Sequence, residues 1–263
     1  MMISNGDIAL HFADDGPRDA PAVVFAHALG TDLTLWDAMI AHLPEGLRLV
    51  RLDMRGHGGS DAPPAPYSMG QLVSDAEAVL DALGLRDVVF VGISIGGMIA
   101  QGLAVKRLDL VRGVVLSNTA ARIGTRSQWD DRIASIRAQG LHAMVEPTLE
   151  RWFAKGFRAS PVAHTLGTTL SQTNIEGYTG CAAAIAGTDF YTPTSGLRLP
   201  CLGIAGSHDG STPPDLVRET VELIPGSSFA LMRRSGHLPC VDAPEDYARI
   251  LTEFLESIGH VAT

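Results

Sequence analysis

Short apolar, β-branched runs punctuate the first half of the chain: Val23-Val24-Phe25, Leu49-Val50-Arg51-Leu52, Val88 to Val91 and Val111 to Leu116. Segments of helical period or turns separate them, and such alternation predicts an α/β fold with a mostly parallel sheet covered on both faces. Between the second and third runs, apolar residues recur at Leu72, Ala76, Val79, Leu80 and Leu83 behind a Ser68/Gln71 capping box, and Gly84 supplies the stop. From about 121 to 190 the strand rhythm is lost. Helical segments alone are expected there, including 127–139 and 144–155, which reads as a helical lid inserted into the core. The strand pattern resumes at Cys201 to Ala205, then come a helix over about 214–223 and a strand over 228–232. A closing helix follows, with Tyr247, Ile250, Leu251, Phe254, Leu255 and Ile258 on one face behind an Asp242/Glu245 capping box. The expected division is an α/β core over 1–120 and 191–263 with a cap over 121–190, and no repeat or linker interrupts it.

Composition narrows the function classes. A chain of 263 residues buries a large core. Twenty Lys+Arg against 29 Asp+Glu leave a formal charge of −9, which argues against nucleic acid or an anionic membrane as partner. An anionic small molecule would need arginines placed locally. Cys181, Cys201 and Cys240 are odd in number and too scattered for a disulfide framework or a zinc ribbon, so reduced thiols in a cytoplasmic setting are expected. The opening Met1-Met2-Ile3-Ser4-Asn5-Gly6-Asp7 has neither a basic nor an apolar leader region. The longest apolar stretch, Val88 to Val105, is broken by Gly92, Ser94, Gly96, Gly97, Gln101 and Gly102 and reads as strand plus helix.

Within that stretch lies Gly92-Ile93-Ser94-Ile95-Gly96. A serine held at a sharp strand-to-helix turn by flanking glycines is pushed into a cleft, where its hydroxyl can act as nucleophile. The helix start aims the Ile95 N–H at any negative charge forming beside Ser94. A serine hydroxyl is nearly inert at neutral pH and needs a base and a carboxylate to orient that base. His237 and Asp209 each sit in a turn just after a late strand, giving the chain order Ser, Asp, His. His57 and His208 compete for the base, Asp61 and Asp242 for the acid; turn chemistry explains Asp61 and helix capping explains Asp242. The turn His27-Ala28-Leu29-Gly30-Thr31 can supply a second oxyanion donor from Leu29 N–H, an ordinary turn being the alternative. Neither His57 with Asp53 nor His208 with Asp209 has further ligands at metal-binding spacing, so no metal is expected.

These motifs carry a resemblance. Leu29-Gly30-Thr31-Asp32 with Trp36, Asp53 to Ser60, Gly92 to Gly97 and Gly236 to Cys240 look like an α/β-hydrolase of the 3-oxoadipate enol-lactonase family. Narrower pointers are Ile123-Gly124-Thr125 with Trp129 and Arg132, Arg151-Trp152-Phe153, and Glu176-Gly177-Tyr178 with Cys181 to Ile185. The resemblance implies a cytoplasmic, cofactor-free enzyme of aromatic catabolism in the β-ketoadipate pathway, opening an enol-lactone that carries a free carboxylate. Trp129, Arg132 and Trp152 are then the expected substrate contacts. Arg132, one helical turn beyond Trp129, is the candidate carboxylate anchor, against a plain surface role. One departure stands out: Ala186-Gly187-Thr188-Asp189 occupies a place where the family is expected to carry an arginine. A carboxylesterase, a perhydrolase-like enzyme or a carbon-carbon bond hydrolase of the same fold are the alternatives, with a small-molecule receptor of this fold as a different class. Whether the protein is a monomer or a homo-oligomer stays open at this level.

Overall fold

A computed structural model of the chain describes residues 1–261. The strands are β1 (Met2–Asn5), β2 (Ile8–Asp15), β3 (Ala22–Ala26), β4 (Arg48–Leu52), β5 (Val88–Ile93), β6 (Val111–Ser117), β7 (Cys201–Gly206) and β8 (Ser228–Met232). They form one sheet in the order β1-β2-β4-β3-β5-β6-β7-β8. From β4 to β8 every pairing is parallel, whereas β1 pairs β2 and β2 pairs β4 antiparallel. Every residue of β3, β5 and β7 is buried, as a parallel strand covered on both faces requires.

The β1–β2 hairpin is the part of the sheet that the strand pattern above does not anticipate. Its signals are nonetheless present. Asn5-Gly6 marks the turn, with Gly6 at φ +61°, and Leu10 and Phe12 alternate inward on an otherwise half-exposed edge. The helices come close to expectation. Ser68 caps Met69–Ala82, its hydroxyl accepting from Gln71 N while Gln71 Oε1 accepts from Ser68 N, and Gly84 follows at φ +64°. The closing helix Pro244–Ser257 buries Tyr247, Leu251, Phe254 and Leu255. Its cap differs: Ala243 holds the N-cap position with no side-chain bond, and Asp242 belongs to a separate turn, Pro239–Asp242. Pro244 at the first helical position displaced the expected Asp242/Glu245 box by starting the helix one residue later.

Between β6 and β7 the chain forms the helices Arg126–Gln139, Val145–Trp152, Pro161–Gln172 and Ile175–Ala186. The expected helix over 144–155 is instead a 3₁₀ turn, Leu141–Met144, followed by an α-helix that stops at Trp152, with Phe153 extended. Tertiary bonds end it. The carbonyls of Arg151 and Trp152 accept from Gly210 N at 3.0 Å and His237 N at 2.7 Å, satisfying groups that a helix C-terminus leaves unpaired.

The strand order reverses between the parallel neighbours β3 and β5, since β4 lies beside β3 toward one edge of the sheet and β6 beside β5 toward the other. Open α/β sheets bind ligands outside the carboxyl ends of the strands at such a switch point. The loop after β3 carries Leu29 and the turn after β5 carries Ser94. The helical insertion closes on this edge through backbone alone at one point: a Cβ on Gly177 would lie 2.1 Å from Gly56 O. No rotamer change relieves a clash with backbone. Gly177→Ala is therefore expected to cost roughly 1–3 kcal/mol. A thermal melt should show a drop of about 2–4 °C for each kcal/mol.

Candidate active site

The turn at Ser94 is built by close backbone approach. Ser94 has φ 57° and ψ −121°, a sparsely populated region for a residue with a side chain. The flanking glycines make the turn possible: a Cβ on Gly92 would sit 2.1 Å from Gly96 O, and one on Gly96 would sit 2.2 Å from Ala26 O. Ser94 N donates to Ser117 O at 3.0 Å, and the Thr119 hydroxyl donates to Ser94 O at 2.6 Å. These bonds tie the turn to the end of β6 and leave the hydroxyl facing a cavity of about 190 Å³ that His237 also lines.

Asp209 and His237, from the loops after β7 and β8, meet in a buried hydrogen bond of 2.8 Å between Oδ2 and Nδ1. Ser211 N and Thr212 N donate to Asp209 Oδ1 at 2.7 and 3.0 Å, while the Thr212 hydroxyl and Asn118 Nδ2 donate to Oδ2, both at 2.8 Å. Burial by itself would raise this carboxyl, but the His237 ring and the other donors outweigh it and hold it below its ordinary value. With Nδ1 directed to Asp209, the other ring nitrogen of His237, Nε2, has no protein partner among the described residues. Ser94 and His237 line the same cavity and make no direct hydrogen bond among the described residues.

The rivals are placed elsewhere. His57 is buried; its Nε2 accepts from Gly30 N at 3.1 Å, and its Nδ1 lies 3.3 Å from Arg55 O. Burial, with His27 beside it, lowers its pKa to about 3, so it stays neutral and fixes the loop that carries Leu29. His208 is exposed and pairs with Ser207. Asp61 accepts from Ala9 N in its loop. Asp242 accepts from Gly236 N at 2.7 Å, so it braces the residue before His237 and does not cap a helix. Burial raises its carboxyl above the usual value.

Leu29 lines the cavity, and the Leu29 and Ile95 amides make no bond to another protein group among the described residues. Trp129, Arg132 and Trp152 line it as well. The Trp129 indole donates to Ile123 O at 2.6 Å, which stands its ring beside the Arg132 guanidinium at 5.5 Å. The Gly187-Thr188-Asp189 stretch, where an arginine was expected, lines a different surface cavity. Asn118 and Thr212, which orient Asp209, carry no sequence motif, while Arg151 and Tyr178, given no individual role by the resemblance, line the cavity. Asn118 sits directly after β6 at φ 44°, and a polar residue tolerant of that backbone beside a strand end was the available signal. Among the described residues no group of three His, Cys, Asp or Glu side chains is placed to hold a metal ion, and no helix is long and apolar enough to cross a membrane.

The family profile of the alpha/beta hydrolase fold matches residues 21–244, and the chain belongs to that family. It is 35% identical over 243 residues to 3-oxoadipate enol-lactonase 2 of Acinetobacter baylyi, covering 92% of this chain and 91% of that protein. The crystal structure of the enol-lactonase from Burkholderia xenovorans LB400 superimposes with a TM-score of 0.93 at 32% identity, covering 97% of this chain and 99% of the other. An esterase from Thermogutta terrifontis with malate bound gives a TM-score of 0.89 at 27% identity, over 97% and 95% of the two chains. Fold and relatives together make the protein a hydrolase.

The stability carried by ionised Asp209 follows from its lowered pKa. A depressed carboxyl stabilises the fold above its unfolded value of 3.8 and loses that contribution as pH falls through the folded value. Urea unfolding of wild type and Asp209→Asn should therefore show a constant stability difference near neutral pH that narrows below 3.8.

Proposed function

We propose that the protein is a serine hydrolase that opens an anionic enol-lactone, 3-oxoadipate enol-lactone to 3-oxoadipate, through an acyl-enzyme on Ser94. The observation that carries this reading is one cavity lined by Ser94, His237 and two arginines and by no Asp or Glu. A serine beside an imidazole supports acyl transfer, and unneutralised guanidinium groups suit a substrate with a carboxylate. The names of the similar proteins point the same way.

In this mechanism His237 Nε2 takes the Ser94 proton as Oγ attacks the lactone carbonyl. Leu29 N–H and Ile95 N–H hold the oxyanion, each such donor contributing about 3–4 kcal/mol to the barrier reduction. Collapse of the tetrahedral intermediate breaks the ring C–O bond and expels an enolate, which takes up a proton and tautomerises to the ketone. His237 then deprotonates a water that attacks the acyl-enzyme, releases the second carboxylate and returns the proton to Ser94. Asp209 keeps the imidazole in the required tautomer throughout. Arg132 anchors the carboxylate already present on the lactone, and Trp129 and Trp152 wall the ring. The helices over 121–190 act as a cap that excludes water from the acyl-enzyme. Three free, buried cysteines fit a reducing, cytoplasmic setting.

Turnover of the anionic lactone against a panel of neutral esters tests the assignment. The lactone should be hydrolysed with the higher kcat/KM, and a preference for simple esters would transfer the protein to the carboxylesterases. Ser94→Ala and His237→Ala should each lower kcat by roughly 10⁴ to 10⁶-fold. Near-normal turnover by the purified serine variant would refute the acyl-enzyme.

A further inference from the structure

The cavity's two arginines are wired together. Arg132 Nη2 and Arg151 Nη2 both donate to the Thr148 hydroxyl, at 3.4 and 3.2 Å, and Arg132 also donates to the Tyr178 hydroxyl. Thr148 and Tyr178 are almost wholly buried. A hydroxyl that accepts two N–H groups has used both lone pairs and can only donate its own proton; Tyr178, accepting from Arg132, is biased the same way. Among the described residues neither hydroxyl proton has a protein acceptor, and Arg132 Nε is buried without a partner. The cluster therefore consists of donors alone.

Among the described residues no acid forms an ion pair with either guanidinium. Arg132 lies over the Trp129 and Tyr178 rings at 5.5 and 5.6 Å, contacts that attract a cation without cancelling its charge. Glu150, the nearest acid in sequence to Arg151, is engaged by Arg158 at 3.3 Å. Burial first, and the neighbouring Arg132 second, push the Arg151 guanidinium below its ordinary value. Two like charges held against one hydroxyl in a protein of net charge −9 are an arrangement that only an arriving anion relieves.

We propose that Arg151 and Tyr178 complete with Arg132 a clamp for a single substrate carboxylate, one oxygen directed to each guanidinium, with Thr148, which does not line the cavity, positioning the two guanidinium groups through its hydroxyl. Resting on the hydrolase reading for its orientation, the clamp makes Arg151 and Thr148 determinants of specificity for esters or lactones that carry a free carboxylate away from the reacting carbonyl. A carboxylate fits better than a bulkier tetrahedral anion, because the planar group can bridge two forks that already converge on one hydroxyl.

The test compares p-nitrophenyl hydrogen glutarate with p-nitrophenyl valerate, in which a methyl replaces the carboxylate. Wild type should prefer the anionic ester in kcat/KM. Arg151→Leu should lower that preference by about 10–100-fold, chiefly through KM. Thr148→Val should lower it by about 3–10-fold, with Thr148→Ser restoring it. The exposed Arg198→Leu variant serves as the control and should keep the wild-type ratio. An unchanged ratio in Arg151→Leu protein of native circular dichroism overturns the clamp. If neither ester is turned over, the hydrolase reading has failed and glutarate titration by calorimetry judges the clamp separately. Saturable binding that Arg151→Leu abolishes supports it, whereas no binding, or equal competition by inorganic phosphate, overturns the carboxylate assignment.

Discussion

A carboxylate taken out of water must be met by donors, and Asp209 is met by five: two amides, two side-chain groups and the His237 ring. That requirement organises the edge of the sheet where Ser94 lies. Asn118 has to stand after β6 to reach Asp209, and its Nδ2 also donates to Gly236 O at 3.1 Å, so one amide ties β6 to the loops after both β7 and β8. Asp242 holds the Gly236 amide from the other side. The imidazole is thus fixed by its own hydrogen bond and by the backbone that carries it. The proposed acyl transfer would demand geometry of this kind, because a base displaced by an ångström loses most of its effect.

The Ser94 turn was readable because its grammar is local: strand, glycine, serine, glycine and helix lie within a dozen residues, and steric necessity fixes the order. Asp209 and His237 were readable only through chain order, as polar residues in turns after late strands. Asn118 and Thr212 were not, since their part depends on which turns meet across the sheet. Asp242 shows the opposite failure. It matches a capping pattern with Glu245, yet Pro244 sets the helix start and frees the side chain for a tertiary contact. Arg132 could be proposed from its spacing to Trp129, whereas Arg151 lies in a different helix and joins it only through Thr148. The β1–β2 hairpin had a turn signal and an alternating pattern, but both are weak beside the continuous apolar runs of the central strands.

Electrostatics divides the molecule into two regimes. Outside the cavity the buried arginines are matched to acids, Arg55 with Asp75 at 2.7 Å and Arg48 with Asp14 at 2.9 Å. Inside it, positive charge is left unmatched against aromatic rings and hydroxyls. The overall negative field keeps anions at a distance, so selection of a charged ligand is a short-range matter decided within the cavity. The family's fold leaves such choices open, and residues of the inserted helices line the cavity here.

The helix end at Arg151–Trp152 has a mechanical consequence. Its last two carbonyls are fastened to the amides of Gly210 and His237, so this stretch of the insertion is continuous with the backbone that bears the imidazole. A hinge at that point would break two main-chain bonds beside the imidazole, making it a costly place to flex. The helix end thus forms a fixed jamb on the side of the cavity lined by Trp152 and His237.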